Sequence, residues 1–223
     1  MLMERLQLPL AILTCAAAGG VYFLTTDFDM LRVKYSLTDP IFDWVDFSLN
    51  ASCLFGILPG LFLQKAGPRK GIPVGGIMLF IGQICSIVLI DSDSQSVQNN
   101  SVALVFFLCV ISGQGACLIV LSAIQSMLNF HTIVCSHVIC TLLIGYFIGS
   151  DSLLSAINLS FGMEDSFSTF LLCMALLGAA INFTTAYMIS DEEDGTGLAG
   201  KGDSLSKGLL NKRLSTFPLI WFT

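Results

Sequence analysis

Residues 102–122 read "VALVFFLCVISGQGACLIVLS". No charged side chain interrupts them. A helix of this length rises about 31 Å, the thickness of the hydrocarbon core of a bilayer. In hydrocarbon every backbone N–H and C=O needs an internal partner, so only helices and closed barrels cross. The stretch shows no strong apolar–polar alternation of the kind a barrel strand carries, which leaves a helix. Working outward, comparable apolar runs occupy about 7–26, 45–63, 72–91, 132–150 and 167–189. Six spans are therefore expected. Asp43 and Asp46 crowd the start of the second, which makes it the weakest of the set. The whole chain agrees: 54% of residues are hydrophobic and 12% charged, against about 25% charged in a soluble domain. The expected fold class is an all-α polytopic membrane protein. Residues 1–189 form a six-transmembrane-helix bundle, and residues 190–223 form a cytoplasmic linker.

Orientation follows from Lys and Arg in the loops. With a cytoplasmic N-terminus, Arg5, Lys65, Arg69, Lys70, Lys201, Lys207, Lys212 and Arg213 lie inside, and Arg32 and Lys34 outside. An even number of spans then places both termini in the cytoplasm. The outer connections are acidic, with Asp27, Asp29 and Asp39 in the first. Asn99-Asn100-Ser101 and Asn158-Leu159-Ser160 are glycosylation sequons expected in outer loops. The membrane itself, plasma or internal organelle, is left open. "MERLQLPLAILTCAAAGG", residues 3–20, also has the form of a signal peptide. The apolar run continues past Gly20 as "VYFLTT" to full spanning length, which favours a retained helix.

The net charge of −6 comes from loops and tail, and no basic stripe points to nucleic acid. The eight cysteines fall inside apolar stretches, with neither CxxC pairs nor metal-ligand spacing, and read as small packing residues. No metal and no cofactor is expected. Neither a nucleophile elbow, a P-loop nor an HExxH motif occurs, and no catalytic set can be named, so no enzymatic activity is expected. The tail from Ser190, "SDEEDGTGLAGKGDSLSKG", has the composition of a flexible linker. It ends in the apolar "LSTFPLIWFT", which reads as the start of a further span.

Three of the ten basic residues crowd into "GLFLQKAGPRKG", residues 60–71. Gly56-xxx-Gly60 reads as a close helix approach, and Gly67-Pro68 as a sharp turn between the second and third spans. Gly60, Gln64, Lys65, Gly67, Arg69 and Lys70 resemble the loop between the second and third helices of the major facilitator superfamily. The glycine and basic positions match. Gln64 stands where that family has an acidic residue, which puts any ion-pair gate at this position in doubt. Gly113 and Gly115 in the fourth span, Asn129-Phe130 at its end, Gly67-Pro68-Arg69 and the Gly19-Gly20/Tyr22 pattern resemble the nodulin-like branch. The large-neutral-amino-acid facilitators share "GPRK" and are the rival branch.

The resemblance covers residues 1–189 and implies the N-terminal half of a transporter that moves a small solute by alternating access, without covalent chemistry. The 60–71 turn would belong to the cytoplasmic gate, with Lys65 and Arg69 donating to facing helix ends. The family's cavity is lined by its first and fourth helices, which makes Tyr22 and Gln114 the leading solute contacts, with Asn50 and Asn182 beside them. Each such polar group in a span needs a partner or a wet cavity. Ala16-xxx-Gly20, Gly145-xxx-Gly149 and Ala175-xxx-Ala179 are small-residue pairs suited to close or sliding helix contacts. His137 is the lone intramembrane histidine and reads as a packing donor. The implied partners are a small-molecule solute, the lipid bilayer, and a missing C-terminal half or second copy. The alternative is a non-transporting membrane adaptor that binds a partner through its tail.

Overall fold

The computed structural model describes residues 2–21, 43, 47–52, 56–91, 95–130, 133–161 and 167–195. They form six principal helices: α1 (Leu2–Gly19), α2 (Ile57–Ala66), α3 (Pro68–Asp91), α4 (Gln95–Phe130), α5 (Ile133–Phe161) and α6 (Phe167–Gly195). Residues 47–52 are helical as well, and no strand occurs among the described residues. The chain divides into two compact units, Met1–Ile189 and Ser190–Thr223. In the second, residues 190–195 are helical and 196–223 lie outside the described residues, as do the linker and terminal-span expectations that fall there.

Four stretches are long and apolar enough to cross a membrane: Phe47–Ala66, Pro68–Val88, Phe107–Leu128 and Ser168–Met188. The first and fifth expected spans are represented by shorter apolar helical segments, Leu6–Gly19 and His137–Ser150. The protein is thus all-helical and membrane-type, with four candidate spans where the sequence leads one to expect six. The first expected span runs into residues 22–26, outside the described part.

The helices bury small and aliphatic side chains between them and leave large ones outside. Ala11, Cys15 and Ala18 of α1, Ala116, Ile119 and Ala123 of α4, and Leu143 and Phe147 of α5 share one core. The spanning window of α4 is 67% buried, against 33–44% for the other three, so α4 is the central helix. Ile57, Leu58, Val88, Val138 and Tyr187 point outward with more than half their surface exposed. In water such a surface would be a liability; against lipid tails it is the natural solvent-facing side.

The tightest seam joins α3 to α4, which run antiparallel. A Cβ placed on Gly75 would stand 2.7 Å from the Gly115 carbonyl oxygen, and one on Gly115 would stand 2.8 Å from that of Gly75. Toward one end Gly71 meets Ser122, and toward the other Gly82 meets Ser112. The two backbones touch because neither helix carries a side chain at the crossing. Lipid offers apolar groups no drive to leave it, so such van der Waals contact is what holds helices together in a membrane.

The sequence reading needs correction at three places in this architecture. The expected turn over 60–71 is almost wholly helical: α2 persists to Ala66 and α3 begins at Pro68. Gly67 alone breaks the path, because its φ of 76° and ψ of 167° fall in a region only glycine occupies without strain. Both sequons lie within helices, Asn99–Ser101 in α4 and Asn158–Ser160 in α5, because α4 and α5 extend beyond the apolar runs that predicted them. Of the expected small-residue contacts, Gly56 packs 3.3 Å from Leu121 Cδ1, whereas Gly60, Gly145 and Gly149 face open space within this chain. The α1 crossing falls at Gly19, against Ser150 and Phe147 of α5, one residue before Gly20.

Candidate functional site

Two places concentrate polar chemistry. The first is the break between α2 and α3. Pro68 suits the first position of α3, since its fixed φ is helical and its missing N–H would have no partner there. The Gly67 N–H donates to the Leu63 carbonyl at 2.9 Å, and the Gly67 carbonyl accepts from Gly71 N–H at 3.1 Å. One residue therefore closes one helix and opens the next. Around it Gln64, Lys65 and Lys70 are exposed, and Arg69 is half-buried. Lys65 sits in the last turn of α2, where a cation complements the negative end of the helix dipole.

The second place is a set of neutral polar groups inside the bundle. Gln114 of α4 donates its Nε2–H to the Ser52 carbonyl at 2.6 Å. Ser52 in turn donates to the Cys109 carbonyl at 3.1 Å. These bonds fasten the helical segment 47–52, which carries the half-buried Asn50, to the central helix. Asn182 of α6 is only 1% exposed. Its carboxamide fits against Gly76 of α3, where a Cβ would come within 3.2 Å of Asn182 Nδ2. Asn182 Oδ1 has no hydrogen-bond partner among the described residues. Three residues further along α6, Thr185 Oγ1 lies 2.8 Å from Thr14 Oγ1 of α1, joining those two helices.

Among the expected solute contacts, the structure brings Gln114 to the Asn50-bearing segment and places Asn182 against α3 instead. Tyr22 lies outside the described residues. Gly115 sits at the α3–α4 crossing, and Gly113 is buried on α4. Sequence reasoning missed Thr14, Thr185, Ser52 and Gly76. Hydroxyls in apolar runs usually bond back to their own helix, so nothing in the pattern singled out the threonine pair. Gly71-xxx-Gly75 and Gly82 did carry a readable small-residue signal, and the basic cluster beside them drew the reading away. Among the described residues no group of His, Cys, Asp or Glu is arranged to hold a metal ion.

With this geometry in hand, comparison with known families gives one match. The nodulin-like family profile aligns with residues 6–206, which is most of the chain. The chain belongs to the nodulin-like family. No curated protein and no solved structure matches it. The alignment of this nodulin-like chain takes in both polar sites, the α3–α4 seam and the first part of the segment after Ile189. Family membership together with four apolar, membrane-length helices makes this a membrane protein of transporter type.

Proposed function

We propose that this chain moves a small solute across a membrane by alternating access, as a six-helix half of major-facilitator type. The observation that carries the reading is the nodulin-like match over residues 6–206, joined to the Gly60–Lys70 pattern that the superfamily places beside its gate. A second six-helix half, either a further segment or a second copy, completes the pathway, and the two halves rock about a midplane site. Both termini face the cytoplasm, and the solute acts through binding alone. The neutral lining favours an uncharged or zwitterionic solute, because Gln114 and Asn182 offer amide donors and acceptors without a compensating charge. The break at Gly67 serves the gate, with Lys65 and Arg69 donating to helix ends of the other half as it closes.

Uptake into proteoliposomes tests this reading. A panel of radiolabelled amino acids, sugars and small organic acids is offered to vesicles holding the protein and to empty vesicles. Saturable uptake that falls several-fold in Arg69→Ala, with insertion unchanged, supports a gated transporter. Uptake equal to empty vesicles across the panel, together with capture of a soluble protein by the segment after Ser190, would favour the adaptor reading instead.

A further inference from the structure

A cavity of about 10 Å³ lies between α1, α4 and α6, at the end of the bundle where α1 begins and the other two finish. Its polar lining comes from Gln7, Ser126 and Thr185, each at least nine-tenths buried. Met127 and Met188 supply part of the apolar wall. Ser126 sets this cavity apart. Ser86, Ser122, Ser150, Thr141 and Thr184 each donate to a carbonyl three or four residues back on their own helix. Ser126 Oγ makes no such bond and has no hydrogen-bond partner among the described residues. A hydroxyl buried to 2% exposure and left off its own helix needs another partner. Thr185 adds a further site, since two hydroxyls sharing one hydrogen bond with Thr14 leave one proton and spare lone pairs over.

We infer that this cavity binds one water molecule, which bridges Ser126 of α4 to Thr185 of α6 and the Gln7 amide of α1. The volume is that of a single water, and three polar side chains from three helices meet the two to four partners a buried water takes. A monovalent cation of similar size fits less well. The cavity has hydroxyls and an amide but no carboxylate to offset a charge stripped of its hydration. The water supplies the partner that Ser126 lacks and ties the last helix to the central one. The inference stands independently of whether the chain transports.

X-ray radiolysis of the full chain in lipid nanodiscs, in ¹⁸O-labelled water, tests it. Radicals formed from a bound water oxidise the side chains that touch it. Met127 is 2% exposed, while Met174 is half-buried against an apolar cluster. A bound water makes Met127 take up ¹⁸O at least as fast as Met174; a slower rate at Met127 means a dry cavity and overturns the inference. Ser126→Val fills the space, and Met127 labelling should then fall at least about fivefold with Met174 unchanged. Should that variant not fold, the wild-type ratio still decides. Replacing choline chloride by sodium chloride should leave Met127 labelling unchanged, and its loss in sodium would assign the cavity to the cation and refute water.

Discussion

Adding one methyl group at Gly115 should open the α3–α4 seam. A Cβ there would stand 2.8 Å from Gly75 O, 2.9 Å from Leu79 N and 2.9 Å from Met78 Cβ. Ordinary carbon contacts begin near 3.5 Å, so the helices must part by roughly 0.5 Å or more. Two of the three obstacles are backbone atoms, which no rotamer change can move aside. A radial gap of that size forfeits about a quarter to a half of each dispersion contact along the seam. Overpacking costs typically about 1–3 kcal/mol, and the rigid obstacles place Gly115→Ala toward the upper end, at about 2–3 kcal/mol. Gly60→Ala is the matched control. Nothing lies within 4 Å of its added methyl, and alanine is the better helix former by about 0.5–1 kcal/mol. The two variants should therefore shift stability in opposite directions. Unfolding by titration from mild detergent into dodecyl sulfate, followed by circular dichroism, measures both. A Gly115→Ala variant within about 0.5 kcal/mol of wild type, or equal losses in both variants, would refute the seam argument.

Gly67→Ala should cost about 1–3 kcal/mol, because alanine cannot hold a φ of 76° with ψ of 167° without strain; the same detergent titration reads it. Thr14→Val and Thr185→Val should be coupled by about 0.5–1.5 kcal/mol in a double-mutant cycle, since the second loss follows a hydrogen bond already broken. Additive effects would show that the 2.8 Å contact contributes nothing. Asn182→Ala removes a buried carbonyl oxygen with no partner, a group whose burial costs about 1–3 kcal/mol. Its loss should offset much of the lost packing, leaving stability within about 1 kcal/mol of wild type. If Asn182 contacts the solute, uptake in proteoliposomes should drop in that variant while stability holds.

The all-helical, membrane-type character was legible because it rests on a local quantity, the length of uncharged apolar runs. Residues 102–122 announce a span from composition alone, and α4 covers them. The ends of α4 and α5 were not legible, since a helix can run on into polar residues once water satisfies its outer backbone. The α2–α3 turn was half legible. Gly67-Pro68 marked the break, but the bases and glycines around it suggested a longer loop, whereas Leu61–Ala66 continue as helix. The polar pairing could not be read at all. Thr14 and Thr185 are 171 positions apart, and no periodicity in either helix encodes which hydroxyl meets which. Of the glycine pairs, the sequence could list those able to pack but not those that do. Gly75 and Gly115 touch; Gly145 and Gly149 line an open groove on α5 with Tyr146 and Leu153.

The length of the central helix has a mechanical consequence. At 36 residues α4 is about 54 Å long, whereas the hydrocarbon layer is about 30 Å thick. The excess is a stiff rod in water, fixed to the most deeply packed element of the bundle. A change of about 10° in its inclination would separate the lateral positions of its two ends by roughly 9 Å. Small reorientations at the seam with α3 would thus be amplified outside the bilayer. Spectroscopic labels near Gln95 would report them without touching the packed interior.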